Sequence, residues 1–208
     1  MSTRWLSVAL LAALGMGCQP GAGPGGDSST TTGGGEGGAG GATPVAHPLS
    51  VMTWNIRLFP LKNDTVQRVR DIILQQDPDV LAIQEIDDPQ AFTKLDKLLP
   101  QYQGLMNDDN NGFLRLGLLT KKGRVTTSEV ATLYTGDWYP FPRPPLKVRL
   151  TADGGAYDFI AVVVHLKAKI DQDSQDRRRA ACEQLDTWIE NQIANGVDTE
   201  FMVLGDFN

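Results

Sequence analysis

Cysteine is nearly absent from this 208-residue chain, which has two, Cys18 and Cys182. With Cys18 assigned to a terminal modification, Cys182 stands alone, and an internal disulfide framework is excluded. Histidine is as scarce, at two residues, and no cluster of cysteine and histidine suggests a structural zinc site. No long basic run occurs, and the formal net charge is −6 with a pI near 4.9. That excludes a protein that coats nucleic acid by bulk electrostatics. It leaves room for one that grips a single phosphate through a metal. The apolar run near the start, Trp5 to Leu14, is too short to span a bilayer as a mature helix. No internal repeat is present.

What is there begins with a leader. Arg4 supplies a basic n-region, Trp5 to Leu14 an apolar h-region broken only by Ser7, and Leu14-Gly15-Met16-Gly17-Cys18 resembles a lipobox, its leucine one place further from the cysteine than usual. Residues 1–18 are therefore expected to be a lipoprotein-type signal with Cys18 lipidated, an ordinary cleaved secretory signal being the alternative. Residues 19–47 hold half of the chain's 22 glycines, a Ser-Ser-Thr-Thr-Thr cluster and neither lysine nor arginine. Such a segment buries too little apolar surface to offset the entropy of ordering, and is expected to be a disordered tether. Together these features predict an exported protein, held at a bacterial membrane by lipid or else secreted.

A globular composition begins at Pro48, so residues 48–208 form the domain. Leu49 to Leu58 alternates as a strand, with Val51, Thr53 and Asn55 on one face and Met52, Trp54 and Ile56 on the other. A capping box at Asp64 to Gln67 opens a helix running to about Gln76, and Asp77-Pro78 stops it. A buried strand over Asp79 to Ile86 and a helix over Asp88 to Leu99 follow. Strands are then predicted over 103–106, 113–120, 124–134 and 145–151, with a turn at Asn107 to Gly112 and a loop at Gly136 to Pro144. Asp153-Gly154-Gly155 reads as a hairpin turn into a β-branched strand, Tyr157 to Leu166. A long helix over Gln172 to about Asn195 presents Ala181, Leu185, Trp188 and Ile189 inward, and a last strand covers Thr199 to Asn208. Cys182 is expected as a small buried residue, and Arg177, Arg178 and Arg179 as a solvated face. The order β-α-β-α, a run of strands, then α-β gives an α/β chain with either two packed sheets and outer helices or an α+β sheet.

Four apolar runs end in groups that bind metal or move protons: Asn55, Glu85, His165, and Asp206 with Asn208. Residues i and i+2 of a strand share a face, so Asp206 and Asn208 are expected to point together at one ligand. A glutamate, an aspartate and nearby amide oxygens suit a hard cation such as Mg²⁺. His165 is the only histidine outside the tether and suits proton transfer near neutral pH. The pattern points to a metal-dependent hydrolase.

Thr53-Trp54-Asn55-Ile56, Ile83-Gln84-Glu85-Ile86, Val164-His165-Leu166-Lys167 and Gly205-Asp206-Phe207-Asn208 resemble, in order and spacing, the motifs of the endonuclease/exonuclease/phosphatase superfamily. Arg143-Pro144-Pro145-Leu146 resembles a segment common in its nuclease-like members. The resemblance covers about Leu49 to Asn208. It implies a four-layer α/β sandwich of two packed β-sheets flanked by helices. It implies that Glu85 binds a divalent metal (Mg²⁺, or Mn²⁺, with Ca²⁺ as a structural ion), with Asn55 beside it. Asp206 and Asn208 would orient water and the scissile phosphate, and His165 would bond the phosphate or assist proton transfer. Arg143 and Lys167 would contact phosphate. The substrate implied is a phosphodiester, most simply nucleic acid, with phosphatase or phospholipase C-type action as the alternative within the class; no protein partner is implied. The family's further motifs, an acidic or amide residue on a later strand and a terminal Asp-His pair, would fall after Asn208. The fold is therefore expected to be incomplete at the C-terminus, and an inactive fragment or tethered binding module is the contrasting expectation.

Overall fold

The computed structural model describes residues 48–107 and 113–208. The expected signal, the tether and all of the Asn107–Gly112 turn after Asn107 lie outside the described residues. Among the described residues, no helix is long and apolar enough to cross a membrane.

Strand β1 (Val51–Phe59), helix α1 (Thr65–Gln76), β2 (Val80–Ile86), α2 (Pro89–Lys97), β3 (Tyr102–Met106) and β4 (Arg115–Lys121) make the first half. Strands β5 (Val125–Thr132), β6 (Leu146–Ala152) and β7 (Tyr157–His165), helix α3 (Gln172–Ala194) and β8 (Phe201–Asp206) make the second. The halves form separate four-stranded mixed sheets, ordered β1-β2-β4-β3 and β5-β6-β7-β8. This is the two-sheet α/β sandwich, not the single α+β sheet.

Three apolar clusters define the layers. Ile56, Val69, Ile73, Leu81, Ile83, Phe92 and Leu95 seal α1 and α2 onto the first sheet. Val80, Ala82, Leu116, Leu118, Val148, Leu150, Ala161 and Val163 fill the space between sheets. Ile160, Val162, Val164, Ala181 and Leu185 seal α3 onto the second sheet. The alternation in β1 follows from this: Met52 and Trp54 pack with the helix layer, while Val51 packs between the sheets. Strands β2 and β7 are buried on both faces, which is why their sequences are almost uninterrupted apolar runs.

Two βαβ units set where the strands end. Strands β1 and β2 pair in parallel across α1, and β7 and β8 pair in parallel across α3. Parallel partners end at the same side, where polar side chains can gather beyond the carboxyl ends of the strands. Turn chemistry agrees at two places. Asp77 closes α1 in the left-handed region, φ 47°, its N–H donating to Ile73 O. Asp153–Gly155 forms a 3₁₀ turn joining the antiparallel β6 and β7.

Three local expectations are corrected. Asp64 does not cap α1 with its side chain; its carboxylate pairs with Arg68 one turn on. Cys182 is exposed, because the 100° step from the inward Ala181 turns it out of the seam. The arginine run is not one solvated face. Arg177 is buried, Arg178 reaches back to backbone carbonyls, and only Arg179 stays in solvent beside Asp176.

Candidate active site

The carboxyl ends of β1, β2, β7 and β8 bring together the four groups singled out in the sequence. Asn55 sits at the junction. Its Nδ2 donates to Glu85 Oε1 at 2.9 Å and to Asp206 Oδ2 at 2.8 Å, so one amide bridges carboxylates from the two sheets. The two carboxylate oxygens are thus no farther apart than two hydrogen bonds laid end to end. His165 Nε2 lies 3.9 Å from both of them. The β7–β8 register, His165 opposite Asp206, fixes that juxtaposition.

Backbone irregularities aim these side chains. Pairing of β1 with β2 shifts between Asn55 and Phe59, and pairing of β2 with β4 shifts between Ile83 and Ile86. Within those bulges Arg57, Leu58 and Glu85 adopt positive φ, 47°, 49° and 66°. A non-glycine residue there is held at a cost of about 1–3 kcal/mol, and bulges of this kind redirect side chains beside functional sites. The bulge frees Leu58 N–H to donate to Glu85 Oε2 at 2.9 Å, and Arg57 N–H to donate to Asn55 Oδ1 at 2.9 Å. Both ends of the Asn55 amide and both oxygens of Glu85 are therefore fixed.

Asn208 departs from the expected shared strand face. Strand β8 stops at Asp206, and Asn208 has φ 60°. Its N–H donates to Asp206 Oδ1 at 3.0 Å, an Asx turn, and its Nδ2 donates to Leu166 O at 3.1 Å. It reaches Asp206 through a turn rather than through strand alternation. Gly205 is required one residue earlier than Asp206. With φ 144°, it lies so close to β7 that an added Cβ would sit 1.9 Å from Val164 O.

His165 is 2% exposed. Burial, then the nearby charge of Arg143, pushes its imidazole down to about 4, against the opposing pull of Asp206 and Glu85. It is therefore neutral near pH 7, one nitrogen carrying hydrogen and the other a lone pair. Arg143 donates from Nη1 to Leu166 O at 3.0 Å, and burial pulls its guanidinium below the ordinary value despite Glu85 and Asp206. Lys167 Nζ donates to Ala168 O at 3.3 Å.

The donor set fits a hard divalent cation. Glu85 and Asp206 offer oxygen, and both carboxylates keep some exposure, 17% and 30%. Asn55 turns its Nδ2 to them, while its Oδ1 accepts from the Arg57 N–H. Among the described residues, no three of His, Cys, Asp and Glu group closely enough to enclose an ion. Two carboxylates without an enclosing cage match Mg²⁺, which keeps several waters and takes further oxygen from a substrate. Two buried nitrogens near the cluster, His165 Nδ1 and Arg143 Nε, have no hydrogen-bond partner.

Sequence reading missed the residues that hold the surrounding loops. Asn107, 2% exposed, donates to Pro144 O at 2.9 Å and accepts from Leu116 N–H at 2.8 Å, which seats the Arg143 segment. Arg177 donates to the carbonyls of Tyr139 and Trp138 at 2.6 and 2.8 Å. Arg178 donates to Lys167 O and Lys169 O at 2.6 and 2.8 Å. The signal available was the position of this run in the first turns of α3, where a 100° step sends consecutive arginines in different directions.

Comparison with known proteins gives the same architecture. The family model described as the Endonuclease/Exonuclease/phosphatase family matches residues 52–208. Among solved structures, the human Nocturnin catalytic domain with a bound sulfate anion is 25% identical, with a TM-score of 0.59 over 77% of this chain and 64% of that one. Danio rerio TDP2 complexed with single-strand DNA product is 23% identical, TM-score 0.59, covering 77% and 60%. The Bacteroides thetaiotaomicron mannosyl-6-phosphatase Bt3783 is 14% identical, TM-score 0.59, covering 77% and 66%. The chain thus spans about two thirds or less of the length of these structures. No curated protein sequence matches it.

Proposed function

Because this chain belongs to the endonuclease/exonuclease/phosphatase family, we propose that it serves phosphodiester hydrolysis at the Glu85–Asn55–Asp206–His165 cluster, with nucleic acid as the substrate class. One observation carries the reading: two carboxylates from different sheets converge on a single amide, beside a buried neutral histidine. Like charges are brought together at a cost, and a cation shared between them offsets it. The Arg143-Pro144-Pro145-Leu146 segment, similar to that of nuclease-like members, favours a diester over a monoester.

In this reading Glu85 and Asp206 hold a divalent cation, Mg²⁺ or Mn²⁺, consistent with the general use of such ions in the family. When bound, the ion supplies Lewis-acid neutralisation of charge developing on the phosphate. The chain's own residues do the rest. Asn55 keeps both carboxylates in place from its Nδ2. Asp206, its Oδ1 held by the Asn208 N–H and its Oδ2 by Asn55, orients the attacking water through a remaining lone pair, and Asn208 steadies that turn. His165, neutral at neutral pH, donates a hydrogen bond to a phosphate oxygen or accepts the proton of the water. Arg143, seated over the Leu166 carbonyl, adds positive charge where a phosphate would lie. Lys167, its Nζ on the Ala168 carbonyl in the segment after His165, would add a second positive charge there.

Export and anchoring are proposed on sequence grounds: the leader pattern supports lipidation at Cys18, with residues 19–47 as tether and 48–208 as the catalytic-type domain. Metabolic labelling with radioactive palmitate tests this; Cys18→Ser should abolish the label, and an unlabelled wild type would refute it.

A substrate panel of plasmid, single-stranded DNA, RNA, sphingomyelin and inositol phosphates, with Mg²⁺, Mn²⁺ or Ca²⁺, tests the activity. Divalent-dependent cleavage of a nucleic acid, reduced at least ~10²-fold in His165→Ala, is expected. Preferential release of inorganic phosphate or phosphocholine would move the chain to the phosphatase or phospholipase C-type alternative. No turnover of any substrate would leave a binding role.

A further inference from the structure

The loop between β5 and β6 displays a side chain that the cluster does not use. Trp138 is 70% exposed. Exposed single aromatics are ordinary on surfaces, but this one is mounted. The Arg177 guanidinium lies 5.5 Å from its ring centroid and 5.2 Å from that of Tyr139. The same guanidinium bonds the Trp138 and Tyr139 carbonyls, and Arg177 itself is 8% exposed. Three residues on, Phe141 is buried and stacks on Tyr134, centroids 4.6 Å apart. The loop is therefore anchored on both sides of an indole that keeps most of its surface in solvent.

The mount is joined to the active site. Arg143, five residues after Trp138, touches the Leu166 carbonyl beside His165. Five residues span at most about 18 Å of chain. Arg178, next to Arg177 on α3, holds the Lys167 and Lys169 carbonyls in the same segment after His165. One helix turn thus holds both the indole's backbone and the segment that follows His165.

We propose that the Trp138 indole is a stacking platform for one base of a single-stranded nucleic acid whose phosphodiester lies at the Glu85–Asp206 cluster, an inference that rests on the phosphodiesterase reading above. Stacking needs an exposed π-face held still, and a cation behind the ring adds attraction for the polyanion without hydrogen bonds to any particular base. A lipid surface would also take an exposed indole, but would not draw on the cation held behind the ring.

The test is fluorescence anisotropy of a fluorescein-labelled dT₁₂ oligonucleotide with the full chain in EDTA, which prevents turnover. Trp138→Ala is expected to weaken binding about tenfold, with Trp138→Phe staying within about threefold of wild type. With Mg²⁺ added, the ratio of oligonucleotide turnover to bis(p-nitrophenyl) phosphate turnover should fall by a similar factor in Trp138→Ala. Equal dT₁₂ affinity in wild type and Trp138→Ala overturns the platform, as does a wild type that does not bind dT₁₂. Loss of binding to phosphatidylcholine–phosphatidylglycerol vesicles in Trp138→Ala, with dT₁₂ affinity unaltered, overturns it in favour of a lipid contact. The tenfold binding pattern without turnover of either substrate would sustain the platform while refuting the hydrolase.

Discussion

Gly205→Ala is the substitution whose effect is most directly set by the geometry. A Cβ at position 205 would lie 1.9 Å from Val164 O, 2.8 Å from Val164 C and 2.9 Å from Val164 N, where real contacts essentially never fall below 3.0 Å. The obstacle is backbone, so no side-chain rotamer relieves it. Strand β8 must retreat from β7 by at least about 1 Å, the overpacking response of a filled core. Overpacking of this kind costs about 1–3 kcal/mol, and holding alanine at φ 144° costs about another 1–3 kcal/mol. A total of about 4 kcal/mol lowers the melting temperature of a domain this size by roughly 8–16 °C. The retreat also carries Asp206 away from Asn55 and His165, and a misplacement of about 1 Å in a reacting constellation costs on the order of 10²-fold in rate. Circular dichroism melts, with turnover of bis(p-nitrophenyl) phosphate on the same samples, read both effects. A melting temperature within about 1 °C of wild type would rule out the steric conflict at Val164, since even 1 kcal/mol shifts it further.

Other expectations concern the carboxylates and the buried titrating groups. Asn55→Asp replaces the donor that separates Glu85 from Asp206 with a third carboxylate. It should destabilise by about 3–6 kcal/mol, the scale of two hydrogen bonds to charged groups, with partial recovery on adding Mn²⁺ in a thermal melt. The His165 proton resonance should not titrate between pH 8 and 5.5, because its folded value lies near 4. Since the unfolded imidazole takes its proton near pH 6.5, this group makes stability fall as pH drops from about 6.5 to 4; urea melts across that range check the sign. Asp79 behaves as a depressed carboxyl. Burial pulls it up, but the Ser50 N–H and hydroxyl and the Arg124 guanidinium outweigh that and hold it below the ordinary range. Its contribution is complete above the unfolded value of about 3.9 and is lost as pH falls through the folded one. Asp79→Ala should cost about 2–3 kcal/mol at neutral pH by leaving Arg124 and the Ser50 donors short of a partner, measured by urea unfolding.

The layers were legible because burial on one or both faces leaves a period. Met52, Trp54 and Ile56 alternate with Val51 and Thr53, and the unbroken runs in β2 and β7 announced strands covered on both sides. The four strand-end polar groups were legible because each stands at the end of a largely apolar run. What stayed hidden depends on contacts between distant segments. The positive φ of Glu85 exists because β1 and β4 pair with β2 out of register around it, which no local propensity encodes. The Asx turn at Asn208 replaced the expected strand because Asp206 had a backbone N–H within reach. Arg177 reads as surface by composition. It is buried because the loop between β5 and β6 presents two carbonyls to which it donates from α3.

Everything proposed for the active site depends on Glu85 and Asp206 forming one site for a divalent cation. Calorimetric titration of Mn²⁺ into the full chain tests this without requiring turnover. One ion should bind per chain, with affinity reduced at least about tenfold in Glu85→Gln and in Asp206→Asn alike, about 1.4 kcal/mol each. Binding as tight in both variants as in the wild type, or no binding by the wild type, would show that the two carboxylates do not share an ion.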